Sequence, residues 1–236
     1  MTTPRVLAWD GCVNVRDLGG LPTEDGTETR YGVVVRADSI RKLTAPGWEA
    51  LVSFGVRRVI DLRADVEVAA DPPEDAPIPV VRVPVVPWET ALADDWPSMR
   101  EVYLVVLEHF RDRFARIVDE VAASEGPVVI HCMGGRDRTG LAVALLLRLA
   151  GVAPETIAED HAESDGNWAP LLDRWYAEAK TEEELERRRR VAAPAGTGMV
   201  DVLEELEHRY GTVPNYLLAA GAKEQAICEV RARLRP

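Results

Sequence analysis

Cysteine is scarce in this sequence. Cys12, Cys132 and Cys228, odd in number and widely spaced, are the only three in 236 residues, which leaves no disulfide framework to read. No CxxC or HExxH spacing occurs, so no metal site is expected and no cofactor is called for. Long apolar runs are missing too: none approaches the ~18 residues that cross a bilayer, so stable membrane insertion is not expected. The opening MTTPRVLAWDG lacks the basic start, apolar stretch and cleavage-like site of a secretory signal. The expected location is cytoplasmic, with export left only to a signal-less route. Positive charge is in deficit, 28 Lys and Arg against 40 Asp and Glu for a net charge of -12. Such a field repels nucleic acid and anionic membrane surfaces, so an anionic substrate must be captured by local groups.

What is present is ordinary globular material, 47% hydrophobic and 29% charged, with no internal repeat and no low-complexity tract. Short β-rich runs, YGVVVR at 31–36, VRRVIDL at 56–62, VVRVPVV at 80–86 and PVVIH at 127–131, alternate with helical patterns. One helix is expected with Pro46 near its start and Gly55 as its stop. A single long amphipathic helix is expected over 97–124, where Val102, Val106, Phe110, Phe114, Ile117 and Val121 recur at three- and four-residue steps. Strands alternating with helices imply an α/β fold, a mostly parallel central sheet flanked by helices, with its ligand at the carboxyl ends of the strands. Beyond Gly151 the pattern is helical to the end. The division expected is a core over 1–165 and a helical extension over 166–236 packed on it. The RRRR block at 187–190 follows Glu183 and Glu184 by four residues, the spacing of helix-surface ion pairs.

The chemistry concentrates in HCMGGRDRTG, 131–140, between a β run and an apolar helix. A thiol becomes a nucleophile as its thiolate, the form that a helix N-terminus beside arginines favours. Cys132 sits at such a point. Amides from Met133 through Thr139 form a nest for a tetrahedral anion, and Gly134 and Gly135 let the backbone turn. Arg138, six residues after Cys132, offers a planar fork to two phosphate oxygens and to the charge that develops in transfer. The Thr139 hydroxyl is expected to hydrogen-bond the sulfur. Arg136 is expected at the pocket rim, facing a second phosphate or an acidic flank.

HCMGGRDRTG resembles the H-C-x5-R-[ST]-G signature of the cysteine-dependent protein tyrosine phosphatase superfamily. NVRDLGGL at 14–21, Arg36 and Ser39 in VVVRADSI, and DLRADVE at 61–67 resemble its bacterial tyrosine/serine phosphatase branch, of the mycobacterial phosphatase B type. The resemblance implies attack by Cys132, a cysteinyl-phosphate, and hydrolysis without a metal. It implies that Asn14, Arg16 and Asp17 brace the active-site floor. It implies partners in phosphorylated proteins or peptides. Where the branch often carries lysine before the loop aspartate, this chain has Arg136, which leaves phosphoinositides open as substrates.

The general acid is the open position. Asp61, at the end of VRRVID, is the first choice and Asp137 the second. The loop 87–97 adds Glu89, Asp94 and Asp95 without a WPD motif. His131 is read as a loop support, His161 and His208 as structural or exposed, and Trp88, Trp96 and Trp168 as core or lid. The leading function is a phosphotyrosine phosphatase with phosphoserine and phosphothreonine in range. The alternatives are a phosphoinositide phosphatase using the same site and a non-catalytic phosphate-binding module.

Overall fold

The computed structural model describes residues 4–71, 76–85, 98–192 and 198–236. The β-branched runs form its sheet. Strands β2 (Val34–Ala37), β3 (Arg58–Asp61), β4 (Val80–Arg82) and β5 (Val128–His131) are mutually parallel, and a two-residue strand β1 (Arg16–Asp17) pairs antiparallel with β2. The order is β1-β2-β5-β3-β4, so β5 lies in the middle. Both faces are covered, as a parallel sheet requires. Val34, Ile60, Val128 and Ile130 face one hydrophobic cluster, while their strand neighbours Val35, Val59 and Val129 face another with Trp9 and Leu51.

Register positions the site. Ala37 and Asp61 are both partners of His131, so the carboxyl ends of β2, β5 and β3 stand in one row and Cys132 leaves from its centre. Helix α1 (Ala45–Ser53) has Pro46 in its first turn, as expected, and is capped by Thr44, whose hydroxyl accepts from Gly47. A short α2 (Asp65–Ala70) follows β3.

The single helix expected over 97–124 is two helices. α3 (Met99–His109) and α4 (Arg111–Ala122) meet at Phe110, whose φ of -114° and ψ of 24° leave the helical region. Each half has its own partner: α3 packs on α8 (Gly198–Tyr210) and α4 on α10 (Glu224–Leu234). The break lets one chain segment face both.

After the apolar α5 (Asp137–Leu149) comes α6 (Pro154–Ala177), continuous across position 165. Helix α7 (Glu182–Ala192) carries the arginine block, where Arg188 pairs with Glu184 at 2.5 Å, four residues away. Val202 and Leu206 of α8, Tyr216 and Leu217 of α9 (Val213–Ala219) and Val230 of α10 share one core with α5. Tyr216 ties α9 to α3 by donating to the Leu107 carbonyl at 2.6 Å. Among the described residues no helix is long and apolar enough to cross a membrane.

Candidate active site

The loop from Cys132 to Arg136 joins β5 to α5, and its backbone is held from outside. The Met133 carbonyl accepts from the Ser39 amide at 3.1 Å. That of Gly134 accepts from Asn14 Nδ2 at 3.0 Å and Trp168 Nε1 at 2.7 Å. Gly135 O takes Arg36 Nη2 at 2.8 Å, and Arg136 O takes the Gly140 amide at 2.6 Å. In a planar trans peptide the N–H opposes the C=O. Three carbonyls pinned outward, and the fourth drawn along α5 by its first-turn bond, therefore turn the following amides, Gly134 to Asp137, to the inner side at the start of α5, a nest for an anion. The Gly135 amide donates to Cys132 Sγ at 3.3 Å. Gly135 has φ +65°, and a Cβ there would lie 2.5 Å from the Ala37 carbonyl carbon, so the turn needs glycine for conformation and space.

Arg138 is 6% exposed and is presented to the loop by Glu67 of α2. Its Nη1 donates to Glu67 Oε2 at 2.5 Å and its Nη2 to Oε1 at 2.7 Å, while Oε2 also accepts from the Ala64 amide at 2.7 Å. This end-on fork uses one hydrogen of each terminal nitrogen and leaves the Nε edge for a tetrahedral anion. Burial alone would depress the guanidinium's pKa, but Glu67, the Cys132 sulfur and Asp137 together raise it. Burial likewise opposes the Glu67 charge, and Arg138 outweighs it, holding that carboxyl below its ordinary value.

Behind the loop lies a buried ionic cluster. Asp160 of α6 receives Arg36 Nη1 at 2.5 Å, Arg16 Nε at 3.4 Å and Arg5. Arg16 also reaches the Asn14 side-chain oxygen at 2.5 Å, and Ser164 accepts from Arg36 at 3.0 Å. Burial opposes the Asp160 charge, yet Arg36, Arg16 and Arg5 hold its carboxyl well below the carboxylate range. Arg16 is pushed down to about 10 by burial and by Arg36. Asp160, Ser164 and Trp168, at steps of four, make one face of α6 that meets the loop directly or through Arg36.

The remaining sequence candidates divide. Asn14 braces the loop and Arg16 braces Asn14. Asp17 does not reach the loop: it accepts from the Gly19 amide at 2.9 Å and the Gly32 amide at 2.8 Å, organising the turn before β2. Asp61 receives Arg63 through Nε, at 3.1 Å to each oxygen, and Nη2 at 2.9 Å. Burial would raise this carboxyl, but His131 and Arg63 hold it below its ordinary value. Asp137, the first residue of α5, keeps 16% of its side chain exposed, and its Oδ1 accepts from the Tyr103 hydroxyl at 2.5 Å.

Thr139 Oγ1 is buried without a hydrogen-bond partner, so the expected bond to the sulfur is not made. His131 contacts the Cys132 carbonyl through Nδ1 at 3.2 Å. Arg136 does not project to the rim: its side chain is 8% exposed and pairs with Asp137 and Asp165 at 3.1 Å each. The inward turn follows from Asp165, one α6 turn beyond His161. His161 is buried beside Tyr103, His208 is exposed, and Trp168 lies against Gly134. Trp88, Glu89, Asp94, Asp95 and Trp96 lie outside the described residues. Among the described residues no group of three or more His, Cys, Asp or Glu is placed to hold a metal ion.

Beside the loop stand Glu67, Arg36, Tyr103, Asp160 and Ser164, to which sequence reasoning gave no role, and His161, which it read as structural or exposed. Glu67 and Arg36 stand inside quoted motifs; the others have no spacing signal of their own.

The chain is similar in sequence to known proteins. Residues 7–236 match the tyrosine phosphatase family. A tyrosine-protein phosphatase of Nostoc commune is 29% identical over 224 residues, covering 85% of this chain and 73% of that one. The triple specificity protein phosphatase PtpB of Mycobacterium tuberculosis is 25% identical over 272 residues, covering 95% of this chain and 97% of that one. Among solved structures, P. aeruginosa TpbA in complex with pTyr aligns with a TM-score of 0.34 and 19% identity, over 74% of this chain and 86% of that one. The chain belongs to the tyrosine phosphatase family and is a phosphatase.

Proposed function

We propose that the enzyme hydrolyses phosphotyrosine in proteins or peptides through a cysteinyl-phosphate on Cys132. The sulfur attacks phosphorus as the bond to the tyrosyl oxygen breaks, and Asp137 protonates that oxygen. Water then attacks the thiophosphate, returning a proton to Asp137 and the sulfur to Cys132. The amides of Gly134 to Asp137 and the Nε edge of Arg138 carry the equatorial oxygens in both steps. The observation that carries this reading is the loop with its carbonyls pinned outward around Cys132, with Arg138 held over it by Glu67.

Asp137 is preferred to Asp61 as the acid on chemical grounds. Asp61 is 2% exposed and both its oxygens are taken by Arg63 through Nε and Nη2, whereas Asp137 keeps 16% of its side chain exposed at the start of α5. Its role is to anchor Arg63 beside Ser39, whose hydroxyl that guanidinium approaches at 3.4 Å. Arg136, buried against Asp137 and Asp165, supplies no rim charge for a second phosphate. This favours singly phosphorylated peptides over phosphoinositides.

The test is Cys132→Ser and Arg138→Lys on the purified protein. Cys132→Ser is expected to abolish turnover while vanadate still binds, because the amide nest and Arg138 remain. Arg138→Lys is expected to lose at least a hundredfold in kcat/KM, since an ammonium has no planar fork. Turnover by Cys132→Ser within tenfold of the parent overturns the covalent route.

A further inference from the structure

We propose that Tyr103 and His161 are positioning residues for Asp137: the imidazole holds the Tyr103 hydroxyl as a donor to Asp137 Oδ1, leaving Oδ2 to carry the transferable proton. This deepens, and rests on, the assignment of Asp137 as the acid.

The argument begins at His161. Its ring is 1% exposed, and Nδ1 has no hydrogen-bond partner. The space beside Nδ1 is filled by α5, where a Cβ built on Gly140 would lie 2.4 Å from it. Burial, with Arg36, brings the imidazole down to about 4, so it is neutral near pH 7 and carries one N–H. Placed on Nδ1, that hydrogen would be a buried donor without an acceptor, a costly arrangement. On Nε2 it meets the Tyr103 oxygen at 3.3 Å. The surroundings thus select the Nε2–H tautomer.

That choice fixes the next hydrogen bond. The Tyr103 oxygen accepts from His161, so its own single hydrogen goes to Asp137 Oδ1, 2.5 Å away. Oδ1 is then an acceptor in either protonation state of Asp137. A proton on Oδ1 would reverse the chain, turning Tyr103 toward Nε2 and forcing the His161 hydrogen onto Nδ1. The proton of the acid therefore resides on Oδ2, while Arg136 Nε donates across both oxygens, at 3.1 Å to Oδ1 and 3.3 Å to Oδ2. The edge-on packing of the two rings, centroids 5.8 Å apart and planes at 88°, keeps the chain in register. Tyr103 is 1% exposed on α3, so no solvent competes for its hydroxyl.

The test uses leaving groups. Phenyl phosphate needs a proton on its departing oxygen far more than p-nitrophenyl phosphate does. Tyr103→Phe, which removes one atom, is expected to lower kcat/KM about tenfold for phenyl phosphate and less than threefold for p-nitrophenyl phosphate, with vanadate affinity unchanged. His161→Phe, which keeps the hydroxyl and loses the donor behind it, is expected to act in the same direction by a smaller factor. Asp137→Asn alone should show the same selectivity, larger than in either. Adding Tyr103→Phe to Asp137→Asn should then change nothing further.

Equal losses on both substrates in Tyr103→Phe, or losses that multiply with those of Asp137→Asn, overturn the positioning role and leave the acid assignment standing. Asp137→Asn without leaving-group selectivity overturns the acid assignment and this inference with it. If Tyr103→Phe does not fold, the same cycle with His161→Phe decides on the same criteria.

Discussion

Glu67 grips Arg138 end on, with both carboxylate oxygens engaged at 2.5 and 2.7 Å, and Oε2 is itself steadied by the Ala64 amide. The guanidinium plane is thus fixed in advance, which on the proposed route removes part of the ordering that transfer would otherwise require. Glu67→Gln keeps the shape of the side chain but offers one acceptor oxygen where the fork needs two. It is expected to lower kcat/KM on the order of ten- to a hundredfold and to weaken vanadate binding. The nearly buried Arg138 is left with a weaker, uncharged partner, so the thermal midpoint should fall as well. A large loss of stability with unchanged activity would assign Glu67 to the fold instead.

The two loop glycines should respond differently to alanine. At Gly135 a Cβ would stand 2.5 Å from backbone atoms of Ala37, and φ is +65°. Backbone at a strand end cannot yield, so Gly135→Ala is expected to cost about 2 kcal/mol or more and to abolish anion binding. At Gly134 the nearest atoms belong to the Trp168 ring at 3.4 to 3.5 Å, ordinary contact. Gly134→Ala should lose much less of both. Denaturant melts and vanadate titration of the two variants check this.

The sheet and the loop were legible in the sequence because both depend on local patterns. Val128 to His131 reads as a buried strand from its β-branched run, and the spacing from Cys132 to Arg138 encodes a turn ending in a helix. What escaped depends on partners distant in sequence. Nothing in EHFRDRF marks Phe110 as a break, since neither glycine nor proline is there; the break goes with α3 packing on α8 and α4 on α10. Asp160 is one of 40 acidic residues, and only the folded positions of Arg5, Arg16 and Arg36 single it out. Arg136 was expected at the rim and lies inside because Asp165 on α6 is there to receive it. Thr139 is in the expected place, but its hydroxyl lacks the expected partner.

The cluster on Asp160 predicts a second kind of failure. With the carboxylate present, three arginines share one buried anion; Asp160→Asn leaves Arg16 and Arg36, each 0% exposed, facing each other with less compensation. Removing one partner of a buried ion pair costs about 3–5 kcal/mol. Arg36 also holds the Gly135 carbonyl, so activity measured well below the melting temperature should fall as well. Asp160→Asn is expected to be less stable at neutral pH, and the difference should narrow as pH falls below the ordinary carboxylate value of 3.8, where the unfolded parent chain takes up a proton that the folded one does not. A urea titration at pH 7 and at the lowest pH where both fold measures it.

His161 gives stability a pH dependence whose sign is fixed. Its ordinary value is 6.5, and burial with Arg36 brings it to about 4 in the folded state. Between those values the unfolded chain binds a proton that the folded chain does not, so stability rises with pH across this window and is lost as pH falls through it. Between pH 7 and pH 5 the loss from this one group is about 2 kcal/mol. His131, also lowered by burial although Asp61 opposes this, adds to the same slope. His161→Phe retains the His131 share and removes its own, so its stability should fall less steeply over the same interval, whatever its value at pH 7. Asp17, which burial raises despite the amides of Gly32 and Gly19, acts with the opposite sign but equally in both proteins, and drops out of the difference. Urea midpoints at half-unit steps from pH 7 to pH 5 measure the two slopes. Parallel lines would mean that His161 titrates alike in the folded and unfolded chain, so that below its ordinary value it is charged in the folded protein and donates from both nitrogens, and the buried, neutral ring that sets the direction of the Tyr103 hydrogen bond would be lost.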